Sequence, residues 1–322
     1  MPLKFDRMLS KCPSLRERLR CPRCRGAISV NEGRLQCSDS RCELNEEAFL
    51  VAQDRPVLVD FANSILTRES FVQRAGASAV VRHVESKTVR QRLRSLVRTR
   101  NAVAERVGKD ILARLGGRPV DKPGVILVIG SGEVGNGMEE MYRTSDVALI
   151  GLDIYVSDST DVVADAHQIP FADGTFDAVW IQAVLEHVLD PQMVVDEIWR
   201  VLRPDGVVFS STPFMQQVHE QAYDFARFTR SGHRWLYRRF DVIEAGSAIG
   251  VGTALFWSLR YFFRGVVGSK RIGDALAGAF FWLKVFDRAT KLQEDGASVT
   301  YIYGRKSEHT LTPSEIVQFY SK

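Results

Sequence analysis

The sequence predicts an α/β fold built on a doubly wound parallel sheet, with a small cysteine-rich β domain before it and an apolar helical insertion late in the chain. Three observations predict this. Residues 125–129, Val-Ile-Leu-Val-Ile, run directly into Gly130-Ser131-Gly132-Glu133-Val134-Gly135-Asn136-Gly137, a buried parallel strand that ends in a glycine-rich turn. Four further apolar strand signals follow, at 147–152, 162–164, 176–181 and 207–212. Ahead of them all, Cys21, Cys24, Cys37 and Cys42 sit in a short segment of their own. The length of 322 residues fits about two domains, and 45% hydrophobic with 25% charged residues is a globular composition.

Residues 1–61 form the first unit. Cys21-Pro22-Arg23-Cys24 is one cysteine knuckle, and Cys37 with Cys42 is a second, wider one. Knuckles on facing hairpin loops place four thiolates tetrahedrally around zinc. The metal supplies the stability that so small a domain cannot draw from a core. Four thiolates leave no open position, so the expected zinc is structural; the alternative is free thiols in a reduced domain. Cys12 reads as a bystander. Residues 48–51 and 55–60 read as closing strands.

Residues 62–120 read as a helical, basic linker. Over 81–100, Arg82, Lys87, Arg90, Arg92, Arg94, Arg98 and Arg100 face the single acid Glu85. Apolar Val89, Leu93, Leu96 and Val97 recur at helical spacing. Such a helix is either a solvated face or a docking face for phosphate, in RNA, anionic lipid or a pyrophosphate-linked substrate. No aromatic residues interleave, so base stacking is not indicated. Gly116-Gly117 and Pro123-Gly124 mark the entry to a domain over 121–305.

Within that domain the glycines at 130, 132 and 135 let the backbone turn tightly and approach a ligand, with a helix expected to start after them. Asp153 ends the second strand, about twenty residues past the loop, where a carboxylate accepts hydrogen bonds from ribose hydroxyls. The third signal ends in Asp165-Ala166, and the fourth begins at Phe176-Asp177 and reaches Gln182. Leu185-Glu186-His187 and a helix over 191–202 follow. Leu202-Arg203-Pro204-Asp205-Gly206 then turns into the fifth strand. The literal Gly-x-Gly-x-x-Gly at 130–135 also fits a nicotinamide-binding domain, and glycines can serve a strand turn with no ligand at all.

In this order and spacing, the motifs over roughly 120–245 resemble the class I S-adenosylmethionine-dependent methyltransferases. Their fold is Rossmann-like, and the nearest likeness is to the branch typified by quinone and sugar methyltransferases. The resemblance implies S-adenosylmethionine as cofactor. Gly130 and Gly132 would pass under its methionine part, Asp153 would hold the ribose, and Asp165 the adenine amino group. Ala166 would offer a backbone N–H, and Gln182 would lie beside the methionine moiety. The chain departs from the family pattern at Val128, where an acid is usual, and at Val134, where a third glycine is usual and here comes one position later. The first 61 residues resemble the small zinc-ribbon proteins that activate tRNA and rRNA methyltransferases.

The substrate is expected over the ends of strands four and five, near His187, Thr212-Pro213-Phe214 and residues 219–229. The last block resembles a Pro…His…Asp…Arg-x-Thr signature of methyltransferases encoded among polysaccharide and cell-envelope genes. That implies a hydroxyl acceptor on a saccharide or lipid-linked saccharide. His219 is the first candidate for general base and His187 the second, because imidazole titrates near neutral pH. Asp224 would orient a histidine or bind a sugar hydroxyl, and Arg227 would hold a phosphate or carboxylate. Each histidine also fits an ordinary hydrogen-bonded pocket residue. An rRNA or tRNA base methyltransferase is the rival reading, favoured by the ribbon and the arginines. It lacks an Asn/Asp-Pro-Pro-aromatic motif, since Gln182-Ala183-Val184-Leu185 stands there. A non-catalytic scaffold of the same fold is the second rival.

Residues 249–290 are apolar and aromatic, with Phe256, Trp257, Phe262, Phe263, Phe280, Phe281 and Trp282 among them. Neither run reaches the roughly twenty residues that a membrane span needs. Flanking basic residues suit interfacial helices that touch a membrane over 249–288, a lid over a lipid-tailed substrate, or a pair packed on the core. Residues 299–304 read as a closing strand and 306–322 as a polar, mobile tail. The modest net charge of +4 does not by itself imply nucleic acid. The basic first twenty residues lack the apolar stretch of a signal peptide. A cytoplasmic protein is expected, at the inner membrane face if the helices make that contact.

Overall fold

The computed structural model describes residues 6–31, 34–78, 101–119, 121–288 and 294–320. The basic helix expected over 81–100 lies outside the described residues.

The chain opens with α1 (Asp6–Lys11) and a hairpin of β1 (Ile28–Asn31) and β2 (Arg34–Cys37). Cys21 and Cys24 precede this hairpin, Cys37 ends it and Cys42 follows it, but the segment does not stand alone. Met8, Leu15, Leu19 and Leu35 are buried in the main core, and Cys12 packs there with them. Arg25 also reaches Glu197 at 2.8 Å. The next two strands, β3 (Leu50–Ala52) and β4 (Arg55–Val57), leave the hairpin and join the large sheet.

That sheet continues through β5 (Gly124–Ile129), β6 (Val147–Asp153), β7 (Val162–Val163), β8 (Phe176–Gln182), β9 (Leu202–Pro213), β10 (Phe240–Ile249) and β11 (Val299–Lys306). Its nine strands lie in the order β10-β11-β9-β8-β5-β6-β7-β4-β3. β4 through β9 pair in parallel, and β3, β10 and β11 are antiparallel. The strand order reverses at β5, with β6 on one side and β8 on the other. In open α/β sheets the crevice at such a switch point, beyond the carboxyl ends of the strands, is where ligands bind.

Both faces of the sheet are covered, which is why its strands read as unbroken apolar runs. Along β5, Val125, Leu127 and Ile129 enter one core, and Ile126 and Val128 enter the other. The first core is closed by α4 (Pro191–Val201), which follows α2 (Arg68–Gln73) and α3 (Ala102–Leu115) in the chain. α4 begins where Asp190 accepts the Met193 N–H and Pro191 presets the first turn. Its Val194, Val195, Ile198 and Val201 are all buried, an apolar stripe at helical period. The second core is closed by α3, whose Val107, Ile111 and Leu115 pack with Trp180 and Phe209. Those two rings lie 4.1 Å apart.

The helix expected after the glycine loop is not formed; residues 130–144 are a run of turns. Gly137 has φ +96°, and a Cβ on it would lie 2.8 Å from the Asn101 carbonyl oxygen. The positive φ breaks a helix there, and the close approach lets α3 seat on the loop. Asp177, part of the fourth strand's signature, is structural. It accepts from Arg118, Arg203 and the Val125 N–H at 2.7–2.9 Å, so it ties β5 and β9 together at the end away from the crevice.

After β9 come α5 (Arg230–Leu236), β10, then α6 (Val251–Val267) and α7 (Lys270–Gly278), with β11 and α8 (Pro313–Tyr320) at the end. α6 and α7 cross closely. A Cβ on Gly273 would lie 2.6 Å from the Arg264 backbone nitrogen, and Arg260 and Arg264 both hold Asp274, at 2.8 and 2.6 Å. Only Gly252, Thr253 and Ala254 of α6 are buried. Phe262, Val266, Trp282 and Val285 are 57–72% exposed. Among the described residues no helix is long and apolar enough to cross a membrane.

Candidate active site

A cleft of about 690 Å³ opens at the carboxyl ends of β5, β6, β7 and β8. Gly130, Asp153, Asp165, Ala166 and Gln182 all line it, as do His187 and His219. The sheet brings Gly130, Asp153, Asp165 and Gln182 together because each ends a strand or follows one directly, and the loops after β8 and β9 add His187 and His219.

The glycine loop is shaped for close approach. Gly130 has φ +76°, and a Cβ there would stand 2.2 Å from Val184 Cγ2. A Cβ on Gly132 would stand 1.9 Å from the Tyr155 hydroxyl, and one on Gly135 would stand 2.7 Å from Gln182 Oε1. The Asp153 carboxylate accepts the Gly132 N–H at 2.7 Å and the Ile154 N–H at 2.7 Å. One acid therefore fixes the loop and faces the cleft. Gln182 is held by the Trp180 indole N–H at 3.2 Å and donates to the Asn136 carbonyl at 3.3 Å. Val128, at the position where an acid is usual, is buried in the sheet core, whereas Val134 lines the cleft.

Asp165 is buried, and burial alone would raise its pKa. Hydrogen bonds from His167 and from Ser64, the latter at 2.5 Å, outweigh burial and hold the carboxyl below its usual range. His167 is likewise disfavoured as a cation by burial and favoured by Asp165, with a net rise. Its Nε2 accepts the Asp190 N–H at 3.1 Å, a bond that only the neutral ring can make, so we favour the neutral tautomer with Nδ1–H on Asp165. Ser64 comes from the segment after the ribbon. Ile65, Leu66, Phe71 and Arg74 of that segment also line the cleft, so α2 roofs the site. Sequence reasoning took this stretch as linker and missed the roof. The one local signal was Thr67, which caps α2 by accepting the Ser70 N–H.

At the other end of the cleft, His187 and His219 meet edge to face, with ring centroids 5.0 Å apart. His187 Nδ1 donates to the Tyr223 carbonyl at 2.7 Å. His219 Nδ1 lies 3.3 Å from Asp224 Oδ2, which also accepts the His219 backbone N–H at 2.9 Å. Burial, followed by the neighbouring His187, lowers the His219 pKa. Asp224 is drawn down to about 2: its ion pair with Arg227 and the His219 N–H outweigh the opposing effect of burial. Arg227 does not line the cleft. Its five donors go to Gln216, Gln217 and Ala226 carbonyls and to both Asp224 oxygens, which leaves none for the phosphate or carboxylate expected of it. Glu186, between the histidines and β9, was not singled out from sequence. It is fully buried, and burial pushes its pKa up to about 8.

The cysteines form a second centre. Cys21 and Cys42 sulfurs are 3.8 Å apart and those of Cys24 and Cys37 are 3.4 Å apart, and all four lie within 4.8 Å of one another. A tetrahedral zinc with sulfur at about 2.3 Å requires edges of about 3.8 Å, so the donor set fits zinc. The Gly26 N–H points at Cys24 Sγ from 3.3 Å, as outer partners of metal thiolates do.

Residues 127–210 match the family model described as a methyltransferase domain. The ubiquinone/menaquinone biosynthesis C-methyltransferase of Desulfotalea psychrophila is 31% identical over 121 residues, 37% of this chain and 45% of that protein. Malonyl-[acyl-carrier protein] O-methyltransferase 1 of Coxiella burnetii is 28% identical over 117 residues, 35% of this chain and 39% of its own length. The chain thus spans less than half the length of these curated relatives. Among solved structures, Haemonchus contortus phosphoethanolamine N-methyltransferase 2 with S-adenosyl-L-methionine matches at 15% identity and a TM-score of 0.40, over 63% of this chain and 53% of that one. With the sheet order and the strand-end cleft, the family match identifies a class I methyltransferase domain within this chain.

Proposed function

We propose that the protein transfers a methyl group from S-adenosylmethionine to a hydroxyl of a small acceptor. The observation that carries this is the division of the cleft. Gly130, Asp153 and Asp165 line it at the ends of β5, β6 and β7, and His187 and His219 line it beyond β8. When bound, the cofactor supplies a methyl on a sulfonium leaving group, so the protein's task is alignment and exclusion of water. Asp153 suits the ribose hydroxyls and Asp165 the adenine edge, while the roof of Leu66 and Phe71 covers them. The acceptor oxygen uses a lone pair to form its bond to carbon, the carbon–sulfur pair stays on sulfur, and the acceptor's proton leaves toward the His187–His219–Glu186 group.

What supports a lipid-tailed acceptor class is the exposed surface of the late helices. The exposed aromatic face of α6, α7 and the turn after them suits a lipid-tailed acceptor or a membrane surface. A lipid-linked saccharide fits this, and so does an isoprenoid-tailed ring alcohol. The test begins with calorimetric titration of S-adenosylmethionine and, in parallel, NAD. Binding of the first alone supports the reading; binding of neither, or of NAD alone, refutes it. Asp153→Asn is expected to weaken cofactor binding at least about tenfold, by the roughly 1.4 kcal/mol of a lost charged hydrogen bond. Methyl transfer from labelled cofactor, compared among lipid-linked saccharide, quinol and RNA acceptors, then tests the class.

A further inference from the structure

We infer that Glu186, His187 and His219 together bind a divalent metal cation inside the cleft. Three independent features of the geometry converge on one point. Glu186 Oε1 is fully buried and has no hydrogen-bond partner among the described residues, while its Oε2 is taken by the Thr212 hydroxyl at 3.3 Å. An unpartnered buried carboxylate oxygen is costly and calls for a specific cause. Both histidines turn Nε2 toward that same oxygen, at 3.7 Å from His187 and 4.0 Å from His219. His187 is anchored through its other nitrogen by the Tyr223 carbonyl at 2.7 Å, and His219 turns its other nitrogen to the Asp224 carboxylate, 3.3 Å away. That is how metal-ligating imidazoles are oriented, with Nδ1–H bonded outward and the Nε2 lone pair left for the ion.

Metal–ligand bonds of about 2.0–2.2 Å bring such donors to about 3.4 Å from each other. The two carboxylate–imidazole distances of 3.7 and 4.0 Å need to shorten toward that value, and the three donor atoms already lie within 4.8 Å of one another, within the reach of side-chain rotation at the half-exposed His219. Two imidazoles and one carboxylate suit first-row divalent ions such as zinc, manganese or ferrous iron, and leave coordination positions open. Here the open side faces the cleft, since His187 and His219 line it. Resting on the methyl-transfer reading, the site gains a purpose: an acceptor hydroxyl bound to the ion would be more acidic and would give its proton to water in the open cleft, the three side chains then acting as ligands rather than as the base, and its oxygen would be fixed in line with the methyl.

The experiment is a count of bound metal. The full chain, untagged, is equilibrated by dialysis with zinc chloride to fill the cysteine site and then with manganese chloride, and total bound metal is measured. Wild type is expected to hold one more divalent cation per chain than Glu186→Gln and than His219→Gln. Equal counts in all three would overturn the inference. His219→Gln removes a ligand from a half-exposed position, so it decides the question even if Glu186→Gln fails to fold. The count does not depend on cofactor binding. Failure to bind S-adenosylmethionine would remove the methyl-transfer reading and leave the metal result standing.

Discussion

Gly130→Ala isolates what the glycine loop contributes, because the structure divides its cost into two separable parts. The backbone at Gly130 has φ +76°, which costs an L-residue about 1–2 kcal/mol. The added methyl would also stand 2.2 Å from Val184 Cγ2, with Val184 Cβ at 3.6 Å and Cγ1 at 3.9 Å. Forcing a carbon into a stiff β-branched neighbour costs a further 1–3 kcal/mol or so. Val184→Ala deletes the clashing methyl and leaves Cβ at an ordinary contact distance. The double variant should therefore recover the steric part and keep the conformational part. Urea unfolding of all four proteins gives the cycle, with an expected coupling of about 1–3 kcal/mol favouring the double variant. Calorimetry should show weakened S-adenosylmethionine binding in Gly130→Ala, partly restored in the double variant, since both residues line the cleft. Additive stabilities, with no coupling, would refute the argument that Val184 sets the space above the loop.

Other consequences can be checked separately. His233 is buried between the Ser210 and Thr300 hydroxyls, and burial lowers its pKa to about 3. Between that value and the ordinary 6.5 the unfolded chain binds a proton that the folded chain refuses. Stability should thus fall as pH falls below 6.5, by about 1.4 kcal/mol per pH unit from this residue. His233→Gln should flatten the slope of unfolding free energy between about pH 6 and 5, and an unchanged slope would count against it. Cys37→Ser is expected to abolish zinc binding at the cysteine centre and to cost more than about 3 kcal/mol, read as lost zinc and a lowered Tm. Replacing exposed Phe262 and Trp282 by Ser should reduce binding to anionic lipid vesicles several-fold with the Tm unchanged; equal binding would remove the proposed membrane contact.

The legible parts of this molecule were those fixed by local chemistry. Residues 125–129 and 176–181 read as buried strands because both faces of each are covered. α4 was legible from Asp190, Pro191 and a 3.6-residue period. The acids at 153 and 165 were legible because strand ends place them. What escaped depends on pairings between distant segments. Nothing around Val57 shows that it will lie beside Val163, so the closing strands of the ribbon were not expected to extend the large sheet. Ser64 and Phe71 gave no sign of a roof, because their partners are Asp165 and the cleft. Glu186 looked like part of a sequence signature; only its burial with an unpartnered oxygen singles it out. Arg227 looked like a ligand-binding cation because its carbonyl partners cannot be read from a sequence.

The pairing of β4 with β7 bears on how the chain comes to be made. Val57 leaves the ribosome long before Val163 exists to receive it. Pairings between such distant segments close late in folding, after nearer contacts have formed. Arg23 in the first cysteine knuckle holds Asp60 at 2.6–2.8 Å, and Ser64, a few residues on, holds Asp165. The cysteine knuckle, closed by contacts short in sequence, can thus form early and keep the following strand ready until the sheet arrives. A truncated chain beginning at residue 121 would be expected to build its own sheet yet expose the edge of β7 and lack the roof over Asp165.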